Sequence, residues 1–181
     1  MAQVKGTAMI GAVRFLRKKR ERALPLVPAE LRHYLEDRVF EARWYPERDL
    51  IPLVLVCAEL MGGDPEETLH TFGRITANAH LDGGIYAHLG ADGDPGSLAI
   101  KASALWSSQH DTGKLRLEIE RDRLGSIRVD GYSHASRQMC LILTGYFQQF
   151  VDSSNLPNPQ IKKRQCVSEG ASHCEWELRW D

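Results

Sequence analysis

The stretch PQIKKRQCVSEGASHCEWELRW, residues Pro159 to Trp180, decides the fold, because it combines two strand-like segments with a tight turn and two cysteines. From Cys174 to Trp180 every second residue is apolar, which is the period of a half-buried β-strand. If a short loop around Gly170 closes a hairpin with Cys166 opposite Cys174, the two β-carbons lie about 5 Å apart. The stretch therefore predicts a C-terminal hairpin that carries two thiols on its inner face.

The length and charge of the chain limit its organisation and its partners. A length of 181 residues is enough for one domain that spans residues 1–181. Lysine and arginine total 23 and aspartate and glutamate total 24, so the net charge of -1 gives no global signal for nucleic acid or for anionic membranes. A local basic cluster, Arg14 to Arg22, is either a solvated helix end or a surface for acidic partners or lipid headgroups.

The N-terminal segment and the cysteines indicate the compartment. Only the seven residues Thr7 to Val13 form an apolar-compatible run before Arg14, and no small-residue cleavage site follows, which does not fit a signal peptide or a membrane span. Four cysteines in a chain with these features are typical of a reducing environment. We therefore expect a cytoplasmic protein with reduced thiols.

Hydrophobic periodicity and glycine or proline breakers predict helices first and then two strand pairs around one long helix. The predicted helices are Gly6–Arg22, Pro28–Glu36, Glu47–Met61, Pro65–Leu81, a resumption of the fourth helix over Tyr86–Leu89, Ser97–Gln109 and the long helix Ser133–Val151. The predicted strands outside the C-terminal hairpin are Lys114–Arg121 and Leu124–Val129, with Val39–Trp44 as a strand or an extended connector. The class is α+β: N-terminal helices packed on a roughly four-stranded antiparallel sheet.

The sequence lacks the motifs of several common enzyme classes. It contains no GxxxxGK[ST], no GxGxxG after a strand, no HExxH, no GxSxG and no CxxC, which argues against standard nucleotide-binding, hydrolase and metalloprotease functions. Cys140 lies beside the apolar face of the long helix and can approach Cys166 and Cys174 if that helix crosses the sheet. Three thiolates in one place suit zinc, with Glu169 as the best-placed fourth ligand, but three buried structural thiols explain the pattern equally well.

The order of helices, hairpin, long helix and hairpin, with the ending CVSEGASHCEWELRW, resembles the V4R (4-vinyl reductase) domain. V4R is a small-molecule-binding domain related in fold to the Bet3-type subunits of the TRAPP vesicle-tethering complex and to haem-nitric-oxide-binding domains. The segments KGTAMIGAVRFLRKK, RWYPERDL, FGRITANAH and CEWELRW are also similar, nearly end to end, to a myxobacterial family of about this length whose function is unassigned. The resemblance implies a module for signalling or regulation, and a homodimer.

The resemblance also implies a metal site. In the zinc-containing V4R sensor domains of phenol-responsive transcription activators, a cysteine on the long helix, a glutamate and two cysteines around the last hairpin hold the metal. Cys140, Cys166 and Cys174 match the three cysteines in spacing, but Lys163 stands at the glutamate position. In a regular strand Lys163 points away from Cys166 and towards Glu177, and a protonated lysine cannot be a ligand.

A haem site is not predicted. The haem-propionate signature YxSxR does not occur, because Tyr132 to Arg137 reads YSHASR, in which the spacing of the three residues is different. Zinc is therefore the one cofactor that the sequence suggests.

We expect a non-enzymatic module that encloses a small apolar molecule between the helices and the sheet, or that offers helical faces to a partner protein. The expected pocket residues are aromatic, with one histidine as a polar group: Trp106, His110, Phe147, Phe150 and Trp176. Core packing explains these residues equally well. A cavity of at least ~300 Å³ would favour the small molecule, and a smaller one the partner protein. The alternative is a zinc- or thiol-dependent enzyme or redox protein that uses Cys166 and Cys174.

Overall fold

The computed structural model describes residues 2–81, 95–121 and 123–181, so the predicted resumption of helix over Tyr86–Leu89 lies outside the described residues. The elements in chain order are β1 (Gln3–Lys5), α1 (Gly6–Lys18), α2 (Arg20–Ala23), a 3₁₀ helix (Ala29–Leu35), β2 (Trp44–Pro46), a 3₁₀ turn (Glu47–Asp49), α3 (Leu50–Met61), α4 (Pro65–Leu81), α5 (Pro95–Gln109), β3 (Lys114–Arg121), β4 (Leu124–Asp130), α6 (Arg137–Asp152), β5 (Gln160–Gln165), a 3₁₀ turn (Val167–Glu169) and β6 (Cys174–Arg179). In these ranges no helix has the length and apolar character needed to cross a bilayer.

The main sheet has four antiparallel strands in the order β3-β4-β6-β5, and α6 connects its two hairpins. Its inner face is apolar, since Ile127 and Val129 of β4 and Trp176 and Leu178 of β6 are almost completely buried. Helix α6 covers this face, where the ring of Phe147 packs edge-on against Trp176. The predicted α+β class, with one long helix between two strand pairs, is confirmed.

Two boundaries in the first and last helices differ from the predictions. Helix α1 ends at Lys18, and Arg17 turns inward to donate to the backbone oxygens of Tyr34 and Asp37. Part of the basic cluster thus caps the carbonyl end of the 3₁₀ helix. Helix α6 begins later than predicted, because the Ser136 hydroxyl accepts a hydrogen bond from the backbone N–H of Met139 at 3.1 Å and caps the helix there.

A small second sheet pairs β1 with β2. The sequence predicted an extended segment at Val39–Trp44 and no strand before α1, whereas the strand is Trp44–Pro46 and its partner is Gln3–Lys5. Strands of three residues are too short to show a hydrophobic period, so sequence patterns rarely detect them.

Helices α4 and α6 cross at two glycines. A β-carbon added to Gly145 would overlap the carbonyl oxygen of His70, and one added to Gly73 would overlap that of Ile142. The two backbones can approach this closely only because neither residue has a side chain.

The register of the C-terminal hairpin corrects one prediction. Lys163 lies opposite Trp176, and a β-bulge between Lys163 and Gln165 shifts the register towards the turn. Arg164 takes the outer face instead and binds both carboxylate oxygens of Glu177 at 2.7 Å. The expectation that Lys163 points away from Cys166 and towards Glu177 is wrong, because it assumed a strand without a bulge.

Candidate functional site

A small cavity of about 60 Å³ lies between the helices and the sheet. Its walls come from α1, α3, α4, α5, α6 and β3, and they are almost entirely apolar. The lining residues are Ala8, Leu50, Phe72, Thr76, His80, Ala102, Leu105, Trp106, Gln109, His110, Leu115, Met139, Ile142, Leu143, Tyr146, Phe147 and Phe150.

Four of the five predicted pocket residues line this cavity: Trp106, His110, Phe147 and Phe150. Trp176 does not belong to its walls. The Trp176 ring lies behind Phe147, with ring centroids 4.9 Å apart, and its indole N–H donates to the Thr144 hydroxyl at 2.7 Å. Trp176 is therefore part of the packing that supports the cavity wall.

A buried hydrogen-bond network fixes His110 at the end of α5. The Glu47 side chain is fully buried, and its Oε1 accepts from His110 Nδ1 and from the Tyr132 hydroxyl, each at 2.6 Å. Burial, and then the nearby Glu47 carboxylate, raise the pKa of Tyr132 well above its usual value. The indole of Trp106 stacks on the His110 ring with centroids 4.2 Å apart. This network orients two of the predicted pocket residues.

A second polar pair in the cavity walls joins α4 to α6. His80 Nδ1 is 2.9 Å from the Tyr146 hydroxyl. Burial lowers the pKa of His80 to about 4, so its imidazole is neutral at pH 7.

Gln109 is the feature of the cavity that sequence reasoning missed. Its side chain is buried, with 4% of the residue exposed, and its Oε1 accepts a hydrogen bond from the Thr7 hydroxyl at 2.7 Å. Its Nε2 has no hydrogen-bond partner among the described residues. The residues that line the cavity thus include a buried amide whose donor has no partner in the part of the chain that the structure describes.

The three predicted cysteines meet beside this region, between α6 and the C-terminal hairpin. Their sulfur atoms all lie within 4.8 Å of one another. Cys140 Sγ is 3.2 Å from Cys166 Sγ and 3.8 Å from Cys174 Sγ, and all three residues are buried. The fourth cysteine, Cys57, lies apart from this cluster in α3, where burial raises its pKa to about 12.

The groups around the cysteine cluster decide its charge. Lys163 Nζ is buried and lies 3.4 Å from the centroid of the Trp176 ring. It has no hydrogen-bond partner among the described residues. A hydrogen bond from Cys140 lowers the pKa of Cys174 to about 5, and the Lys163 charge acts in the same direction. The same hydrogen bond, followed by burial, raises the pKa of Cys140. These effects favour the thiolate form of Cys174 over that of Cys140.

The predicted fourth ligand is not part of this cluster. Glu169 lies in an exposed 3₁₀ turn. His173 points elsewhere, as expected from the strand alternation, and bonds to Ser172 and Glu175. The described residues supply three sulfur ligands for a metal ion and no fourth.

Comparisons with known proteins identify the fold. No family model matches the chain, and no curated protein matches it significantly. An H-NOX protein from S. oneidensis in the Fe(II)NO state superposes with a TM-score of 0.64 and 16% identity, covering 98% of this chain and 99% of that one. An oxygen-binding H-NOX domain related to soluble guanylate cyclases gives 0.65 and 10%, with 98% and 95% covered. An H-NOX protein from K. algicida gives 0.61 and 12%, with 98% and 96% covered. Along almost its whole length, the chain has the fold of H-NOX domains.

Proposed function

We propose that this chain is a non-enzymatic binding module that holds a very small neutral molecule in the cavity between its helices and its sheet. The observation that carries the proposal is the unpartnered amide of Gln109 in the apolar cavity wall. A buried donor without a partner costs roughly 1–3 kcal/mol, which a ligand with an acceptor would recover. A sensor or scaffold role in cytoplasmic signalling, which the V4R resemblance implies, is the wider form of this proposal.

The size of the cavity restricts the ligand. At about 60 Å³ it is far below the ~300–1,000 Å³ of ordinary organic-ligand pockets, so an apolar ligand that needs a cavity of at least ~300 Å³ does not fit. By the size criterion alone, a partner protein would be favoured. The buried Gln109 donor favours a small molecule instead, because a partner on the surface cannot satisfy it.

A partner protein remains a proposal with one supporting observation. Ile75 of α4 and Ile100 of α5 are 62% and 74% exposed, so each helix presents a large apolar side chain that a partner could cover. A homodimer through helical faces, which the V4R resemblance implies, is likewise a prediction.

Haem does not fit the described residues, although one neighbour carries nitric oxide on Fe(II) and another was solved to study haem redox potential. A porphyrin is much larger than a cavity of about 60 Å³. A histidine could bind the iron and a tyrosine could bind a propionate. His110 and Tyr132, however, both bind the buried Glu47. We therefore assign no haem chemistry to the chain.

Xenon binding tests the cavity proposal. Apolar cavities take up xenon, so methyl resonances of Leu105 and Leu143 should shift with xenon pressure in NMR spectra. Ala102→Leu, which fills the cavity, should abolish the shifts. Ala104→Leu is the matched control, because Ala104 is exposed on the same helix. Wild-type spectra without xenon shifts at the cavity methyls would refute the proposal.

The cysteine cluster supports a second candidate function, a zinc site. Zinc–sulfur bonds of ~2.3 Å place tetrahedral ligands ~3.8 Å apart. Cys140 Sγ lies at this distance, 3.8 Å, from Cys174 Sγ, and at a shorter distance, 3.2 Å, from Cys166 Sγ. Lys163 is not a ligand. Its positive charge acts to lower the pKa of Cys174 and opposes the rise in the pKa of Cys140, and so favours the thiolates that zinc requires. Three thiolates around Zn²⁺ leave one negative charge, which the ammonium group offsets.

Elemental analysis tests the zinc site. Protein purified without added metal should contain about one equivalent of zinc, and Cys140→Ser should lose it. Cys57→Ser, at a buried cysteine outside the cluster, should keep it. A wild-type content below about a tenth of an equivalent would rule the site out.

An enzyme or redox protein that uses Cys166 and Cys174 is the remaining alternative. The two residues are only 3% and 0% exposed. Reactive cysteines need access to their substrates, so this burial favours the non-enzymatic reading.

A further inference from the structure

The geometry of the cavity points to a class of ligand: we propose that it binds a short-chain ketone or aldehyde whose carbonyl oxygen accepts a hydrogen bond from Gln109 Nε2. This inference rests on the proposed function and adds the chemistry that the cavity recognises.

The Gln109 amide has a fixed orientation in the cavity wall. Thr7 of α1 donates its hydroxyl hydrogen to Gln109 Oε1 at 2.7 Å, which leaves both Nε2 hydrogens to be satisfied. With 4% of the residue exposed, water outside the protein does not solvate this donor. A ligand that brings an acceptor therefore gains more here than an apolar ligand of the same shape.

The other polar side chains in the cavity walls already have hydrogen-bond partners inside the protein. The indole N–H of Trp106 donates to the carbonyls of Thr112 and Gly113. The Thr76 hydroxyl donates to the Phe72 carbonyl at 2.9 Å. His110 binds Glu47 and His80 binds Tyr146, so the ligand's acceptor is left with Gln109 as its donor.

The cavity walls offer no counter-charge to an ionic ligand. Apart from the two histidines, the described wall residues carry no ionisable group except the Tyr146 phenol. His110 is paired with the Glu47 carboxylate, and burial lowers the pKa of His80 to about 4, so that it is neutral. An ionic ligand would lose its hydration without gaining a counter-charge, which selects a neutral molecule.

Size completes the description. A cavity of about 60 Å³ holds only a few non-hydrogen atoms. Even for the best tiny ligands, the free energy of binding per non-hydrogen atom has an upper limit. A ligand with four such atoms therefore binds with a Kd no tighter than about 0.04 mM. The experiment must therefore work at millimolar ligand concentrations.

Acetone and 2-methylpropene form a matched pair of probes, because both have four non-hydrogen atoms in the same planar arrangement and only acetone has an acceptor. NMR titration of the wild-type protein should show both probes at the cavity methyls of Leu105 and Leu143. Only acetone should move the side-chain NH₂ resonances of Gln109. In Gln109→Met the affinity for acetone should fall about tenfold relative to that for 2-methylpropene, the value expected for one lost hydrogen bond.

Thr7→Val is the control, because it removes the Thr7 hydroxyl but keeps the Gln109 donor, so acetone should still be preferred. If Gln109→Met changes both affinities equally, the carbonyl inference is overturned while the cavity remains a binding site. If neither probe reaches the cavity methyls, the inference and the proposed function both fail. Should Gln109→Met not fold, the wild-type spectra decide, because an unmoved Gln109 NH₂ in saturating acetone overturns the inference.

Discussion

Gly145→Ala is expected to lower the free energy of unfolding by about 3 kcal/mol or more. The added β-carbon would overlap the His70 carbonyl oxygen, and a backbone atom of a packed helix cannot move aside as a flexible side chain can. Helices α4 and α6 would have to separate along their whole crossing. Because both helices contribute residues to the cavity walls, including His80 and Tyr146, the substitution should also disturb ligand binding.

Urea unfolding measures this effect, with Gly11→Ala as the matched control. Gly11 is also helical, but a β-carbon there meets no atom within 4 Å. The control should be stabilised by up to ~1 kcal/mol, since alanine has the higher helix propensity. Gly73→Ala should behave like Gly145→Ala, because its β-carbon would overlap the Ile142 carbonyl oxygen. Equal stability of Gly145→Ala and the Gly11→Ala control would disprove the close helix crossing.

The main elements of the fold could be predicted because their patterns are long and regular. In β6 every second residue is buried, and in α6 the buried residues form one stripe along the helix. These two periods distinguish a strand from a helix in the sequence. The register of β5 could not be predicted in the same way. Ile161 is the one apolar residue in its sequence QIKKRQ, so no hydrophobic pattern distinguishes a regular strand from a bulged one. The position of Lys163 depended on that difference.

The candidate site was predictable only in its apolar part. The helical spacing of large apolar side chains such as Phe147 and Phe150 predicts a buried face. No sequence pattern predicts which polar side chains form hydrogen bonds with each other, because the tertiary fold brings them together. Thr7 and Gln109 are 102 residues apart in sequence, and Glu47 and Tyr132 are 85 apart. A glutamate at a helix start normally stays in water near the positive helix end, so the burial of Glu47 had no sequence signature.

The H-NOX fold can thus be present without a haem-sized cavity. In this chain the cavity between the helices and the sheet measures about 60 Å³, and His110 is bound to Glu47. We propose that a small neutral ligand satisfies the buried amide donor of Gln109, which has no partner among the described residues. The fold is shared with the structural neighbours, whereas the polar groups within it point to different chemistry.

Haemin titration tests most directly whether this chain uses the H-NOX fold for a ligand other than haem. Purified protein should form no one-to-one complex with haemin, and no Soret band should appear beyond that of haemin bound non-specifically. His110→Ala and His80→Ala should leave this background unchanged, because His110 is bonded to Glu47 and His80 to Tyr146. One equivalent of tightly held haem, with a Soret band altered by either substitution, would contradict the account.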